Sequence, residues 1–71
     1  MNLEMFSLMG DAFQEIERRH GNAAGSGTMP CPVCQHYGRV GTLHYEVGPR
    51  KTRRFSRGKC NNPECHTQWI A

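Results

Sequence analysis

The sequence predicts a small α+β fold, in which an N-terminal amphipathic helix precedes a four-cysteine ribbon with a two- to three-stranded antiparallel sheet. Three observations lead to this prediction: two pairs of closely spaced cysteines, apolar residues at helical spacing near the N-terminus, and an alternating apolar and polar segment after position 40. A chain of 71 residues forms at most one domain. It buries only about 60 % of its unfolded surface, so it needs a further source of stability.

The cysteines supply that source. Two residues separate Cys31 from Cys34, four separate Cys60 from Cys65, and twenty-five lie between the two pairs. This spacing is typical of two turns that each give two sulfur ligands to one tetrahedral zinc ion, at zinc–sulfur distances of about 2.3 Å. We therefore predict a zinc-stabilised fold with Cys31, Cys34, Cys60 and Cys65 as metal ligands. Structural zinc contributes about 10–16 kcal/mol to the folding of such small domains.

Other roles for the cysteines are disfavoured. Disulfides occur mainly in secreted proteins, and the N-terminal stretch has no signal-peptide pattern. A redox Cys-x-x-Cys pair normally begins a helix in a βαβ unit, which the pattern does not predict. Histidine can also bind zinc. However, His66 directly follows Cys65 and would strain the turn, and His36 and His44 are not needed because the four sulfurs already complete a tetrahedral site. We expect an intracellular, cytoplasmic protein without a membrane span.

Residues 1–20 are predicted to form an amphipathic helical arm, helical from residue 2. Acidic residues near its start and basic residues near its end suit the helix dipole. An isolated helix of this length is only marginally stable, so its apolar stripe must pack against a surface. We expect the stripe to bind a second copy of the chain or another protein, with packing on its own ribbon as the alternative. The predicted partner-binding residues are Met5, Met9, Phe13 and Ile16.

A flexible linker is predicted over residues 21–29. Residues 21–28 contain three glycines and no large apolar side chain, which is typical of a flexible tether. The linker would separate the helical arm from a zinc ribbon over residues 30–71.

Two or three strands are predicted within the ribbon. Residues 40–47 alternate in the strand pattern, with Leu43, Tyr45 and Val47 on one face. A Gly-Pro turn signal follows, residues 50–59 return as the partner strand, and residues 67–70 form a short closing strand. The aromatic residues expected in the core are Tyr45, Phe55 and Trp69.

Positive charge is concentrated in the ribbon. The formal net charge is +3, and residues 50–59 contain six cations and no acidic residue. Four of the six are arginine, whose planar guanidinium binds phosphate in a bidentate manner. Such a block predicts a polyanionic partner, with a solvated edge strand as the alternative. The candidate nucleic-acid contacts are Arg50, Lys51, Arg53, Arg54, Arg57 and Lys59, with Arg39 as a nearby helper.

Residues 30–71 are similar to a known family. The segment Cys-Pro-Val-Cys-Gln-His at 31–36, the basic segment, Cys-Asn-Asn-Pro-Glu-Cys at 60–65, and the following Thr67 and Trp69 resemble the Ogr/Delta-type zinc-finger family. Its members are small phage and satellite-phage proteins that activate late-gene transcription. The resemblance implies a phage-type transcription regulator that binds duplex DNA and contacts a protein partner such as host RNA polymerase.

Catalysis is not expected. A metal that uses all four sulfurs has no open coordination position, and the sequence has no evident Ser/His/Asp set or carboxylate pair. Three roles therefore stay open: a DNA-binding transcription regulator, an RNA-binding zinc ribbon, and a protein-interaction module that docks on a larger host or phage complex.

Overall fold

An N-terminal helix and a four-stranded antiparallel sheet make up the fold. The computed structural model describes residues 3–51 and 53–71, so the first two residues of the predicted helical arm lie outside the described residues. The elements are α1 (Leu3–His20), β1 (Gly25–Pro30), α2 (Pro32–His36), β2 (Thr42–Val47), β3 (Ser56–Cys60) and β4 (Gln68–Ile70). The strands lie in the order β1-β2-β3-β4, so each pairs with its neighbour in sequence. The predicted α+β class is confirmed.

Strand β1 corrects the predicted flexible linker, which is wrong for residues 25–29. Gly27 pairs with Tyr45 of β2, and Met29 pairs with Leu43. A Cβ atom at Gly27 would lie 2.7 Å from the Tyr45 hydroxyl, and one at Gly25 would lie 2.2 Å from the His20 ring. The glycines leave room for these two rings, so they serve close packing rather than flexibility. The sheet therefore has four strands instead of two or three.

Helix α1 packs on the sheet of its own chain. Met9 is fully buried, Ile16 is 3 % exposed, and the half-buried Phe13 meets Trp69 with ring centroids 5.2 Å apart. Burial within the chain leaves Met9 and Ile16 no surface for a partner, so the prediction that they bind another chain is wrong. Met5 is half-buried. Among the described residues, no helix is long and apolar enough to cross a membrane.

The predicted alternation of buried and more exposed side chains is present in β2. Leu43, Tyr45 and Val47 are all buried in the core. Trp69 is half-buried against this core, whereas Phe55 is 43 % exposed, so the prediction of a core role for Phe55 is wrong. Its position follows from a shorter return strand, because β3 begins only at Ser56 and residues 49–51 and 53–55 lie outside the strands.

Candidate metal centre

Two short segments bring the four sulfurs together. Cys31 caps the start of α2, Pro32 lies in its first turn, and Cys34 follows within the helix. On the other side, Cys60 ends β3, and the backbone N–H of Cys65 donates to the carbonyl of Asn62 at 2.9 Å, which closes the second turn. Each segment therefore presents two thiols to the same point, as the spacing predicts.

The sulfur positions fit a tetrahedral ion. All four Sγ atoms lie within 4.8 Å of one another. The Sγ atoms of Cys31 and Cys65 are 3.9 Å apart, and those of Cys34 and Cys60 are 3.6 Å apart. A tetrahedron with metal–sulfur distances of about 2.3 Å requires sulfur–sulfur distances of about 3.8 Å. All four cysteines are buried, and together they form a metal site.

Thr67 sets the protonation of one ligand. Burial raises the pKa of Cys31, and it raises the pKa of Cys60 to about 12. Burial also acts to raise the pKa of Cys65, but hydrogen bonds with the hydroxyl and backbone N–H of Thr67, together with those from Cys34 and Cys60, outweigh it and lower the pKa to about 6. The Thr67 hydroxyl lies 3.2 Å from the Cys65 sulfur and is itself buried. Cys65 therefore loses its proton more readily than Cys31 or Cys60.

Gly41 is a residue of the site that the sequence interpretation missed. A Cβ atom there would lie 2.7 Å from the Cys34 sulfur and 2.8 Å from the Cys60 sulfur. Its carbonyl also accepts the backbone N–H of Cys31 at 2.9 Å. The position therefore has no room for a side chain beside the ligands. A glycine immediately before a strand was the available signal.

The second cysteine turn is tied to the start of β2 by two asparagines. Asn61 Oδ1 accepts the backbone N–H of Thr42 at 2.9 Å, and Asn62 Nδ2 donates to the carbonyl of Val40 at 2.9 Å. These bonds fix the position of one ligand pair relative to the other. They give a physical role to the asparagines of the motif.

Arg54 is a structural residue, which corrects its prediction as a nucleic-acid contact. Its side chain is 6 % exposed and pairs with Glu17. Its guanidinium also donates to the carbonyls of Gly21, Ala23 and Gly48. Since the side chain is buried and these acceptors use most of its donors, Arg54 is not placed to contact a phosphate.

The other predicted cations differ in their partners and in their exposure. Arg50 pairs with Glu17 at 2.5 Å, and Arg57 pairs with Glu46. Arg39 is half-buried near the metal site. The remaining cations are exposed and have no partner within residues 3–51 and 53–71: Lys51, Arg53 and Lys59.

A row of polar side chains crosses the outer face of the sheet. Thr28 pairs with His44, His44 with Lys59, and Lys59 with Gln68, so the four lie side by side on successive strands. All four are exposed, and their side chains have no partner in the described part of the chain. We call these four residues the outer row. The sequence interpretation missed it because only the strand register brings the residues together.

A groove runs along the outer row. It has a volume of about 580 Å³, and three of the four outer-row residues line it. Polar side chains of the second cysteine turn continue its wall, including Asn61, Asn62 and His66. The groove therefore offers several hydrogen-bond donors and one permanent cation to a ligand.

Fold and site together define the class of protein: a small α+β protein with a four-cysteine metal centre. A comparison with protein-family models, with curated proteins and with solved structures found no match to this chain. The resemblance of residues 30–71 to the Ogr/Delta-type family therefore stays a prediction that rests on the motif.

Proposed function

We propose that the metal is zinc and that its role is structural. Four thiolates in a tetrahedron are typical of structural zinc, because they leave no open coordination position and zinc favours soft sulfur ligands. The burial of all four cysteines supports this role. The zinc then replaces part of the hydrophobic core that a chain of 71 residues lacks.

The zinc proposal is tested by metal analysis with thiol counting. We expect one zinc per chain and thiols that react only after the metal is removed. The Cys60→Ser variant should lose both zinc and the sheet signal. Two disulfides, or a chelated protein that keeps its sheet, would show that zinc does not hold the fold.

We further propose that the protein is a non-catalytic nucleic-acid-binding protein. The observation that carries this proposal is the outer row, whose four polar side chains are exposed and three of which line the groove. Lys59 supplies the phosphate-binding charge there, and Lys51 and Arg53 are further exposed cations. Phosphate contacts from lysine and arginine dominate such binding.

The motif resemblance supports a narrower form of this proposal. In that form the nucleic acid is duplex DNA, and the protein is a phage-type transcription regulator that acts in the cytoplasm of a bacterial host. A preference for single-stranded RNA would instead indicate the RNA-binding alternative.

The binding proposal is tested with fluorescently labelled duplex DNA, single-stranded DNA and RNA at two salt concentrations. Lys59→Gln should weaken binding several-fold and lower the salt slope by about 1. The matched control is Arg18→Gln, which removes one positive charge from the exposed surface of α1. Equal losses in both variants would show that binding is non-specific attraction to the whole protein. No salt-dependent binding by the parent would contradict the proposal.

A second candidate function is contact with a protein partner such as host RNA polymerase. Phe6 is 63 % exposed and lines a groove of about 370 Å³ with Phe13 and Trp69. Exposed apolar grooves of this kind are typical of protein contacts. Phe6→Ser should abolish a complex captured from a bacterial lysate treated with nuclease, while zinc stays bound. A complex that survives the change would place the contact elsewhere.

A further inference from the structure

The side chain of Arg39 is turned toward the metal centre. Its backbone N–H donates to the carbonyl of Cys34 at 2.7 Å, directly after Gly38, whose φ of 71° reverses the chain. The guanidinium carbon lies 5.1 Å from the centre of the Tyr37 ring. These contacts hold the Arg39 side chain beside α2, which contains Cys34 and is capped by Cys31.

One nitrogen of Arg39 is a buried donor. Its Nε atom is fully buried and has no hydrogen-bond partner among the described residues. The Cys34 side chain is the first of the groups that interact with the guanidinium, and the Cys65 side chain is another. Arg39 therefore interacts with one cysteine of each pair.

The charge of the centre explains this arrangement. A divalent ion with four thiolates carries a net charge of about −2, and a buried charge requires a counter-charge nearby. Within the described residues, Arg39 lies within ion-pair distance of no carboxylate, whereas five other arginines pair with glutamates. These five are Arg18, Arg19, Arg50, Arg54 and Arg57.

We propose that Arg39 is the counter-ion of the metal centre, donating to the thiolates of Cys34 and Cys65 and thereby retaining the metal. This inference rests on the proposed zinc centre. It assigns Arg39 to the metal rather than to nucleic acid. Outer partners of this kind orient the ligands and tune the metal, and their loss typically weakens metal affinity by about 10- to 100-fold.

Cobalt substitution tests the inference, because Co²⁺ in a four-sulfur site shows a sulfur-to-cobalt charge-transfer band. Removing a nearby cation raises the energy of the sulfur electrons, so the band of Arg39→Met should move to longer wavelength. Its apparent cobalt affinity should fall by about 10-fold or more. If Arg39→Met does not fold, Arg39→Gln tests the same shift of the band and the same loss of cobalt affinity, because it also removes the charge.

Two controls separate this role from a structural one. Arg53→Met removes the same charge from an exposed position, and Tyr37→Leu removes the ring beneath Arg39 but keeps the guanidinium. Both should keep the parental band. A parental band and affinity in the Arg39 variants, or an equal shift in Tyr37→Leu, would overturn the inference. A parent without a four-sulfur cobalt spectrum would instead overturn the metal proposal itself.

Discussion

The rings of Phe13 and Trp69 meet edge to face with their centroids 5.2 Å apart, which joins the first helix to the last strand. The backbone of Gly58 leaves room for Trp69, because a Cβ atom at Gly58 would lie 2.2 Å from the indole ring. Its indole N–H donates to Ser56 Oγ at 2.9 Å. Helix α1 is therefore a layer of the same small core as the ribbon, and not a separate arm.

The first prediction concerns this shared core. Ile16→Ala should lower the free energy of unfolding of the zinc-loaded protein by about 2–5 kcal/mol, because it leaves a cavity between α1 and the sheet. Urea unfolding with zinc in constant excess measures the change. The control is Phe6→Ala on the same helix, where the ring is 63 % exposed and a change within about 0.5 kcal/mol is expected. Unchanged stability in Ile16→Ala would restore the independent-arm interpretation.

The second prediction concerns the glycine beside the ligands. Gly41→Ala should weaken zinc binding strongly, because its methyl group would overlap the sulfurs of Cys34 and Cys60. Competition with a coloured chelator measures the affinity. Gly10→Ala is the matched control, since a Cβ atom there meets nothing within 4 Å. In mid-helix it should stabilise the protein by about 0.5–1 kcal/mol. Parental zinc affinity in Gly41→Ala would contradict the sulfur geometry.

The third prediction concerns the two neighbouring arginines of the basic segment. Arg54→Met should lower the free energy of unfolding by about 2–4 kcal/mol, because backbone carbonyls in two loops lose charge-assisted hydrogen bonds. Thermal unfolding followed by circular dichroism measures the loss. Arg53→Met, at an exposed position, should leave the midpoint nearly unchanged. In nucleic-acid binding the order should be reversed, and Arg53→Met should weaken the affinity more than Arg54→Met does. Equal midpoints would show that Arg54 does not tie the loops.

The fourth prediction concerns protons released by metal binding. Unfolded cysteines have a pKa of about 8.5, so a metal-free chain that is unfolded should release about four protons per zinc at pH 7. A folded metal-free chain would already hold Cys65 as a thiolate, because its pKa is about 6, and would release one proton fewer. We expect four, because we propose that the fold depends on the metal.

A pH indicator in weakly buffered solution counts these protons. Because the unfolded state binds more protons than the metal-loaded state, the stability of the loaded protein should fall as the pH is lowered. A release of three protons per zinc would indicate a metal-free chain that stays folded, with Thr67 hydrogen-bonded to the Cys65 sulfur.

Local sequence determined several features of this protein. The two cysteine spacings predict the ligand set because each pair lies within one short segment, Cys31 with Cys34 and Cys60 with Cys65. Apolar residues at helical spacing predict α1, which spans Leu3–His20. Alternation of apolar and polar residues over residues 42–47 predicts β2 and its buried face. Each of these signals depends on neighbours a few positions apart, so it is visible without the fold.

Only the tertiary structure decided what depends on distant partners. The glycine-rich segment becomes β1 because Tyr45 and His20 fill the space beside it. Arg54 turns inward because carbonyls of the segment after α1, and that of Gly48 in its own connection, lie within reach. Arg39 faces the ligands, and the strand register aligns the outer row. The same sequence of charges is compatible with other strand registers and loop paths, and only the packed structure selects which cations are buried and which reach the surface.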